Sequence, residues 1–184
     1  NGCLFRSNRL AGTRMPVSYG LQINTGPLAS RNNWIVMNDI YSNGDRGLGI
    51  KGEGADRNVI ALNRIFNNSD DGIRLEQGDS NAFYANRIFR NGPQLISTVN
   101  GIDIRSMASP GATNNLIFGN YIYSNYNSGI AVRSPWDTKN EIRSNFIWGQ
   151  TNGIYLLNGG LQFIDKNMIG LNLRGILFPA AAPA

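Results

Sequence analysis

Short apolar segments recur every 22 to 25 residues along most of this 184-residue chain. Within them, apolar residues stand two apart with another residue between, as in Ile73 and Leu75 or Ile102 and Ile104. This period of two is typical of β-strands, whose side chains point alternately to opposite faces. A crossover helix does not fit into so short a repeat. Each repeat is therefore predicted to consist of short strands joined by tight corners.

Three asparagine columns define the repeat, and each follows the preceding one at a constant distance of five residues. Their members are Asn33, Asn58, Asn81, Asn115 and Asn140; Asn38, Asn63, Asn86, Asn120 and Asn145; and Asn43, Asn68, Asn91 and Asn125, continued by Gln150 and Asn172. We expect asparagine at the corners because it tolerates the left-handed backbone and its amide bonds to neighbouring turns.

Isoleucine and glycine columns complete the unit. An isoleucine lies two residues after each middle asparagine, and each unit closes with glycine and an aliphatic residue, as in Gly72 and Ile73. We expect glycine there because it accepts a positive φ. The sequence thus predicts an all-β, right-handed parallel β-helix solenoid of about seven turns over residues 1–178, with an extended tail or linker over 179–184.

Composition narrows the possible chemistry. The single cysteine, Cys3, allows no internal disulfide, and the absence of histidine removes the commonest general base and metal ligand. A net charge of +5 favours polyanionic partners. Nucleic acid is not favoured, because the basic residues are dispersed along the chain. No apolar run reaches the roughly 18 residues of a membrane span.

The repeat from Asn33 to Ile176 resembles that of pectate lyase-like proteins, alginate-modifying enzymes, phage tailspikes and periplasmic NosD-type proteins. The resemblance is specific for the fold and implies little about function. The basic outward residues and the aromatic row described below favour an extracellular or periplasmic protein that binds acidic polysaccharide. Since the chain lacks histidine, it lacks the Asp-Pro-His motif of mannuronan epimerases and the Gly-His-Gly motif of polygalacturonases. A close assignment to either family is rejected on that ground.

A charged surface on the strand after each glycine is the leading candidate site. Lys51, Arg74, Asp103, Ala131 and Tyr155 are predicted to form one outward column, with Glu76, Arg105 and Arg133 two residues further along. Two insertions, at 92–100 and 106–113, are expected to wall the groove beside Asp103 and Arg105.

Two interpretations of this surface stay open. Arg74 with Asp103, and Glu76 with Arg105, would form exposed cross-strand ion pairs. Alternatively, the basic residues would bind uronate carboxylates, with Glu76, Asp103, Arg105, Arg133 and Tyr155 as the substrate-binding residues. The resemblance to β-helix lyases then implies Lys51 and Arg74 as base and acid of a β-elimination.

Asp45, Asp70 and Asp71 fall at equivalent corners of adjacent turns. Three carboxylates could bind Ca²⁺ there. The alternative is that each aspartate bonds to its own backbone.

An aromatic residue follows the repeat isoleucine in five successive turns: Tyr41, Phe66, Phe89, Tyr123 and Trp148. These rings are expected either to be exposed for sugars or protein partners, or to pack into the corner. Neither end of the repeat carries a capping helix, which predicts a longer chain or stacking of copies. The alternative function is therefore a non-catalytic structural or assembly module, such as a self-stacking, filament or tailspike-like subunit.

Overall fold

A computed structural model describes residues 2–13, 18–26, 28–92, 98–157 and 160–179. These residues form 21 short strands in three parallel sheets of seven strands each, and they include no α-helix. Consecutive strands enter the three sheets in rotation, so every third strand pairs with its counterpart in the next turn. The predicted all-β parallel solenoid is confirmed.

The strand bounds follow the repeat. The first sheet contains β1 (Leu4–Arg6), β4 (Trp34–Val36), β7 (Val59–Ala61), β10 (Ala82–Tyr84), β13 (Leu116–Phe118), β16 (Glu141–Arg143) and β19 (Phe163–Asp165). The second contains β2 (Arg9–Ala11), β5 (Asp39–Tyr41), β8 (Arg64–Phe66), β11 (Arg87–Phe89), β14 (Tyr121–Tyr123), β17 (Phe146–Trp148) and β20 (Met168–Gly170). The third contains β3 (Leu21–Asn24), β6 (Leu48–Lys51), β9 (Ile73–Leu75), β12 (Asn100–Ile104), β15 (Ser128–Val132), β18 (Asn152–Leu156) and β21 (Arg174–Leu177).

The core consists of columns of like side chains. The repeat isoleucine is the central residue of every second-sheet strand from β5 to β20, and Leu10 takes its place in β2. Ile65, Ile88 and Ile122 thus pair in register and are fully buried. Third-sheet strands contribute two inward residues each, such as Ile73 and Leu75. Burying each such side chain stabilises the fold by about 1.5 to 3 kcal/mol.

The asparagine columns form hydrogen-bonded ladders along the solenoid. Asn86 illustrates the pattern, because its Oδ1 accepts from both the backbone N–H and the Nδ2 of Asn63, each at 3.0 Å. Its Nδ2 donates to the Ile60 carbonyl at 2.8 Å and to the Asn120 Oδ1 at 3.0 Å. One side chain thereby satisfies four polar groups in neighbouring turns.

Asparagine was expected to adopt the left-handed conformation at the corner, but the residue before it does so. Leu62, Ala85 and Ser144 precede ladder asparagines and have φ between 53° and 59°. The left-handed residue makes the bend, and the following amide turns inward, where Asn63, Asn86 and Asn145 are fully buried. Asparagine is thus selected for its four hydrogen bonds.

Glycine closes each unit for a reason other than a positive φ. A Cβ on Gly72 would lie 2.6 Å from the Ile88 Cγ2 and 2.7 Å from the Gly101 carbonyl oxygen. The same clash recurs at Gly47, Gly101 and Gly129, none of which has a positive φ. The turns approach so closely at this column that only a residue without a side chain fits.

The last strand ends at Leu177, and residues 180–184 of the predicted tail lie outside the described residues. The division of the chain at residue 178 stays a prediction. No helix among the described residues is long and apolar enough to cross a membrane.

We predict that Asn86→Ala lowers the free energy of unfolding by about 3 to 5 kcal/mol. The substitution leaves several buried polar groups of the neighbouring turns without partners, at about 1 to 3 kcal/mol each before relaxation. Urea unfolding followed by circular dichroism measures the change. Asn24→Ala, at an exposed strand position, is the matched control and should change stability by less than about 0.5 kcal/mol. Equal effects of the two substitutions would contradict the ladder's role.

Candidate functional site

The outer face of the third sheet carries the predicted site residues, but one is displaced by a column. Arg74, Asp103, Ala131 and Tyr155 follow one another in register, as predicted. The residue preceding Arg74 in this column is Gly49, whereas Lys51 lies two residues further along its strand. Placing Lys51 above Arg74 was wrong, because Leu48 and Ile50 are the inward residues of β6 and Gly49 is the outward residue between them.

Lys51 lies in the second outward column, beside Glu76. Its Nζ is 3.3 Å from the Glu76 Oε2, and its side chain is largely exposed. The backbone N–H of Glu76, Arg105 and Arg133 each bonds to the preceding turn in this column. The ion pair expected between Glu76 and Arg105 is therefore replaced by one between Glu76 and Lys51.

Arg74 and Asp103 form a buried ion pair, not the exposed pair expected. The Arg74 Nε lies 3.3 Å from the Asp103 Oδ2, and the carboxylate is fully buried. Arg133 binds the same carboxylate from the other side, with its Nε donating to Oδ1 at 2.8 Å and its Nη2 donating to Oδ2. Asp103 is thus held between two guanidinium groups from adjacent turns.

Asp71 is a second fully buried carboxylate, next to the first. It accepts from Arg74 through Nε at 2.8 Å and through Nη2, and from the Asn100 backbone N–H at 2.7 Å. Arg74 therefore bridges Asp71 and Asp103 across neighbouring turns. Its positive charge compensates two carboxylates that are buried away from water.

Arg46 extends this network, and sequence reasoning did not identify it. Its Nε lies 3.3 Å from the Asp70 Oδ2, its Nη1 lies 3.3 Å from the Asp45 Oδ2, and it also contacts the Tyr19 hydroxyl. Arg46 stands immediately before the closing Gly47, as Asp71 stands before Gly72. This shared position in the repeat could have indicated from the sequence that Arg46 lies near Asp71.

The three aspartates proposed to bind Ca²⁺ are thus engaged by arginines. Asp70 contacts both Arg46 and Arg74, while Asp45 contacts Arg46. Among the described residues, no group of three or more histidine, cysteine, aspartate or glutamate side chains could hold a metal ion. This arrangement argues against calcium at Asp45, Asp70 and Asp71, because guanidinium groups already supply the compensating charge.

Burial perturbs the acids of this cluster. It raises the pKa of the Asp71 carboxyl well above its usual value, and the nearby Asp103 and Asp70 carboxylates raise it further. Burial also raises the pKa of Asp103, although the hydrogen bond and charge of Arg133 oppose the effect. The pKa of Asp70 is raised by burial against the charge of Arg46. The cluster therefore holds protons more tightly than exposed aspartates do.

Arg105 differs from the other arginines on this face. Its charge acts on Asp103, yet no carboxylate among the described residues lies within ion-pairing distance of its guanidinium. Arg105 is half-buried, as is Tyr155 two turns away. Arg105 thus lies at the outer edge of a cluster in which four aspartates, Asp45, Asp70, Asp71 and Asp103, are paired with three arginines, Arg46, Arg74 and Arg133.

The described part of the predicted insertions is fixed beside Arg105. Ser106 donates from Oγ to the Asp137 Oδ1 at 2.5 Å. The Asp137 Oδ1 also accepts from the Ala112 backbone N–H at 3.0 Å. These bonds anchor the start and end of the 106–112 loop to the next turn. Residues 93–97 of the other insertion lie outside the described residues.

The aromatic residues stack on the second sheet, away from this cluster. Tyr41, Phe66, Phe89, Tyr123 and Trp148 form a continuous stack with centroid separations of 4.7 to 4.9 Å. All five are half-buried. The rings were expected to be either exposed or packed. They pack on one another through their faces and stay partly exposed, so each expectation is met in part.

Comparison with known proteins places these features in context. The profile of the family described as "Right handed beta helix region" matches residues 1–134. A mannuronan C5-epimerase of Pseudomonas putida is 32% identical over 143 residues, which are 73% of this chain and 26% of that protein. Lack of the histidine motif did not exclude relatedness to the epimerases, so the earlier rejection is corrected on that point.

Solved structures of epimerases share the fold. The A-module of the Azotobacter vinelandii mannuronan C-5 epimerase AlgE4 superposes with a TM-score of 0.68 at 17% identity, covering 88% of this chain and 46% of that chain. The periplasmic alginate epimerase AlgG gives a TM-score of 0.65 at 18% identity, covering 95% and 44% respectively. The chain thus spans about a quarter of the curated relative and less than half of each structure.

We predict that the free energy of unfolding increases as the pH is lowered from 7 toward about 4, and that Asp71→Asn reduces this dependence. A carboxyl with a raised pKa in the folded state takes up its proton before the unfolded chain does. The folded state therefore gains stability between that raised pKa and the ordinary value of 3.8. Urea unfolding at a series of pH values measures the slope. The exposed Asp165→Asn is the control and should keep the wild-type slope, whereas an unchanged slope in Asp71→Asn would contradict the assignment.

Proposed function

Because the chain belongs to the right-handed β-helix family, we propose that it binds an acidic polysaccharide along the outer face of its third sheet. The similarity to a mannuronan C5-epimerase supports this ligand class, since mannuronan is a polymer of uronate residues. Each uronate unit carries one carboxylate, and the surface described above presents basic side chains in successive turns. The proposed site consists of Arg105, Tyr155 and Glu76 at the surface, with Lys51 at the rim and the Asp103–Arg133 ion pair beneath them.

One observation carries this proposal: Arg105 is a half-buried arginine without a carboxylate partner among the described residues. A guanidinium group binds carboxylates with two parallel hydrogen bonds. Asp103 and Arg133 neutralise each other beside it, so they fix the position of the site without competing for Arg105. A uronate carboxylate would therefore be the natural partner of Arg105.

Proton transfer at the uronate C5 carbon is the proposed chemistry of this face. Epimerisation and β-elimination both begin with removal of that proton, and both need a nearby cation to stabilise the resulting negative charge. Lys51 is an accessible candidate for proton transfer, and its Nζ lies 3.3 Å from the Glu76 Oε2. Arg74 is engaged by Asp71 and Asp103, so we assign it a supporting electrostatic role in place of the acid role expected.

An extracytoplasmic location is proposed together with this ligand. The alginate epimerase AlgG, which shares the fold, is periplasmic. The alternative, a non-catalytic assembly module, predicts association that depends on protein concentration and no affinity for uronate polymers. Sedimentation at several concentrations distinguishes the two functions.

We predict that Arg105→Gln weakens binding of polymannuronate or polygalacturonate about tenfold or more. A hydrogen bond between charged groups contributes about 1.5 to 3 kcal/mol, and 1.4 kcal/mol corresponds to a factor of ten in affinity. Isothermal titration calorimetry at low and high salt measures the change. Arg57→Gln removes an exposed arginine with the same change in net charge, and it should bind as the wild type does. Equal losses in both variants would show a nonspecific effect of charge and refute the site.

We predict that Lys51→Ala abolishes any conversion of mannuronan while it leaves binding within about threefold of the wild type. Exposed ion pairs such as the one between Lys51 and Glu76 contribute about 0 to 1 kcal/mol, so the substitution should not unfold the chain. Ultraviolet absorbance of unsaturated ends detects elimination, and proton nuclear magnetic resonance of the C5 position detects epimerisation. Activity that survives the substitution would exclude Lys51 as the group that transfers the proton.

A further inference from the structure

Two rows of side chains border a groove on the outer face of the second sheet. One row contains Asp39, Arg64, Arg87, Tyr121 and Phe146, and the other contains Tyr41, Phe66, Phe89, Tyr123 and Trp148. Residues two apart on a strand point to the same face, so the rows run side by side along the solenoid. The groove between them belongs to a different sheet from Arg105.

The second row presents ring edges to this groove. Its rings stack face to face with angles of 2° to 7° between neighbouring planes, so both faces of Phe66, Phe89 and Tyr123 are covered. Tyr41 and Trp148, at the two ends of the row, each keep one face that no ring of the row covers. The Arg64 guanidinium lies 5.3 Å from the centroid of the Phe66 ring. An aromatic edge carries partial positive charge, whereas an aromatic face carries partial negative charge. The edges of the central rings therefore suit the oxygen atoms of a ligand.

Tyr121, like Trp148, has one face that is covered by a ring and one that is not. Phe146 stacks on the covered face of Tyr121 with a centroid separation of 4.9 Å. The neighbour on the other side is Arg87, whose Nη2 reaches across the groove and donates to the Tyr123 hydroxyl at 3.3 Å. Tyr121 stays 44% exposed. Its second face is thus available as a platform for a ligand ring.

A pocket of about 510 Å³ lies at this position, lined by Arg87, Tyr121, Tyr123 and Trp148. This volume is within the roughly 300 to 1,000 Å³ typical of small-ligand sites. The pocket combines three aromatic side chains, two of which keep a face that no ring covers, with one guanidinium group.

Arg87 gives the pocket a positive charge that no described carboxylate neutralises. In the preceding turn, Arg64 lies 3.4 Å from Asp39, whereas no carboxylate of the described residues lies within ion-pairing distance of Arg87. Its guanidinium group donates a hydrogen bond to the Tyr123 hydroxyl. An anionic group that enters the pocket would therefore meet an available guanidinium group.

We propose that this pocket binds a uronate residue of an acidic saccharide, at a site separate from the one around Arg105. The C–H groups of the pyranose ring would pack on the open face of Tyr121, and the carboxylate would bind Arg87. The sugar oxygens would lie against the edges of Tyr123 and Trp148. This assignment rests on the pocket alone and does not depend on the proposed function of the third sheet.

Calorimetric titration of the full chain with trimannuronate tests the proposal, with cellotriose as the neutral probe. The variants are Arg87→Gln, Tyr121→Ala and Arg105→Gln, and Arg57→Gln is the control of equal charge. Arg87→Gln should raise the Kd of one class of sites about tenfold, as expected for loss of a charged hydrogen bond. Arg105→Gln should leave that class unchanged. Cellotriose should bind at least tenfold more weakly than trimannuronate.

The two sites fail in distinguishable ways. Loss of all trimannuronate binding in Arg105→Gln, with no change in Arg87→Gln, would overturn the second-sheet pocket and leave the third-sheet site standing. The opposite result would support the pocket and refute the third-sheet site. Equal affinity for cellotriose would overturn the assignment to uronates. Because Tyr121→Ala removes a stacking partner of Phe146, its thermal unfolding is compared with the wild type, and Arg87→Gln tests the pocket without disturbing that stack.

Discussion

The hydrogen bonding of each turn to the next, at a spacing of one β-strand, is the constraint on which this structure depends. It places every residue above its counterpart, as the aromatic centroids 4.7 to 4.9 Å apart show directly. Asparagine meets this constraint because its amide both donates and accepts, so a column of identical residues satisfies itself. Isoleucine meets it by packing on itself inside. Glycine meets it where two turns leave no space for a Cβ.

The same constraint makes charged columns difficult, since identical charges one strand apart repel. The third sheet solves this by alternating sign, with Arg74 followed by Asp103 in register. Arg133, from the neighbouring column, closes the other side of that carboxylate. The cost is the burial of charged groups, which appears as raised pKa values at Asp71 and Asp103. These buried ion pairs thereby form a rigid support for Arg105, which has fewer ionic contacts.

Both proposed sites follow from places where the repeat leaves one charge without a counterpart. Arg105 follows a buried pair on the third sheet, and Arg87 follows a paired arginine on the second. The fold shared with alginate epimerases supplies the scaffold, whereas function depends on the side chains placed on it. Since this chain has no histidine, the chemistry proposed for the third sheet relies on other groups, such as the exposed Lys51.

The repeat could be predicted from the sequence, because the period, the asparagine columns and the isoleucine column are local patterns repeated at a constant spacing. The location of Asp103, Arg105 and Arg133 on one face was predictable for the same reason. Lys51 was misplaced by one column, since the outward residue of β6 is a glycine that carries no polar signal. The folded chain was needed to show that Arg46 joins the charge cluster, that Asp103 is buried, and that Arg87 crosses a groove to Tyr123. Those outcomes depend on side-chain reach between turns, which the order of residues along one strand does not specify.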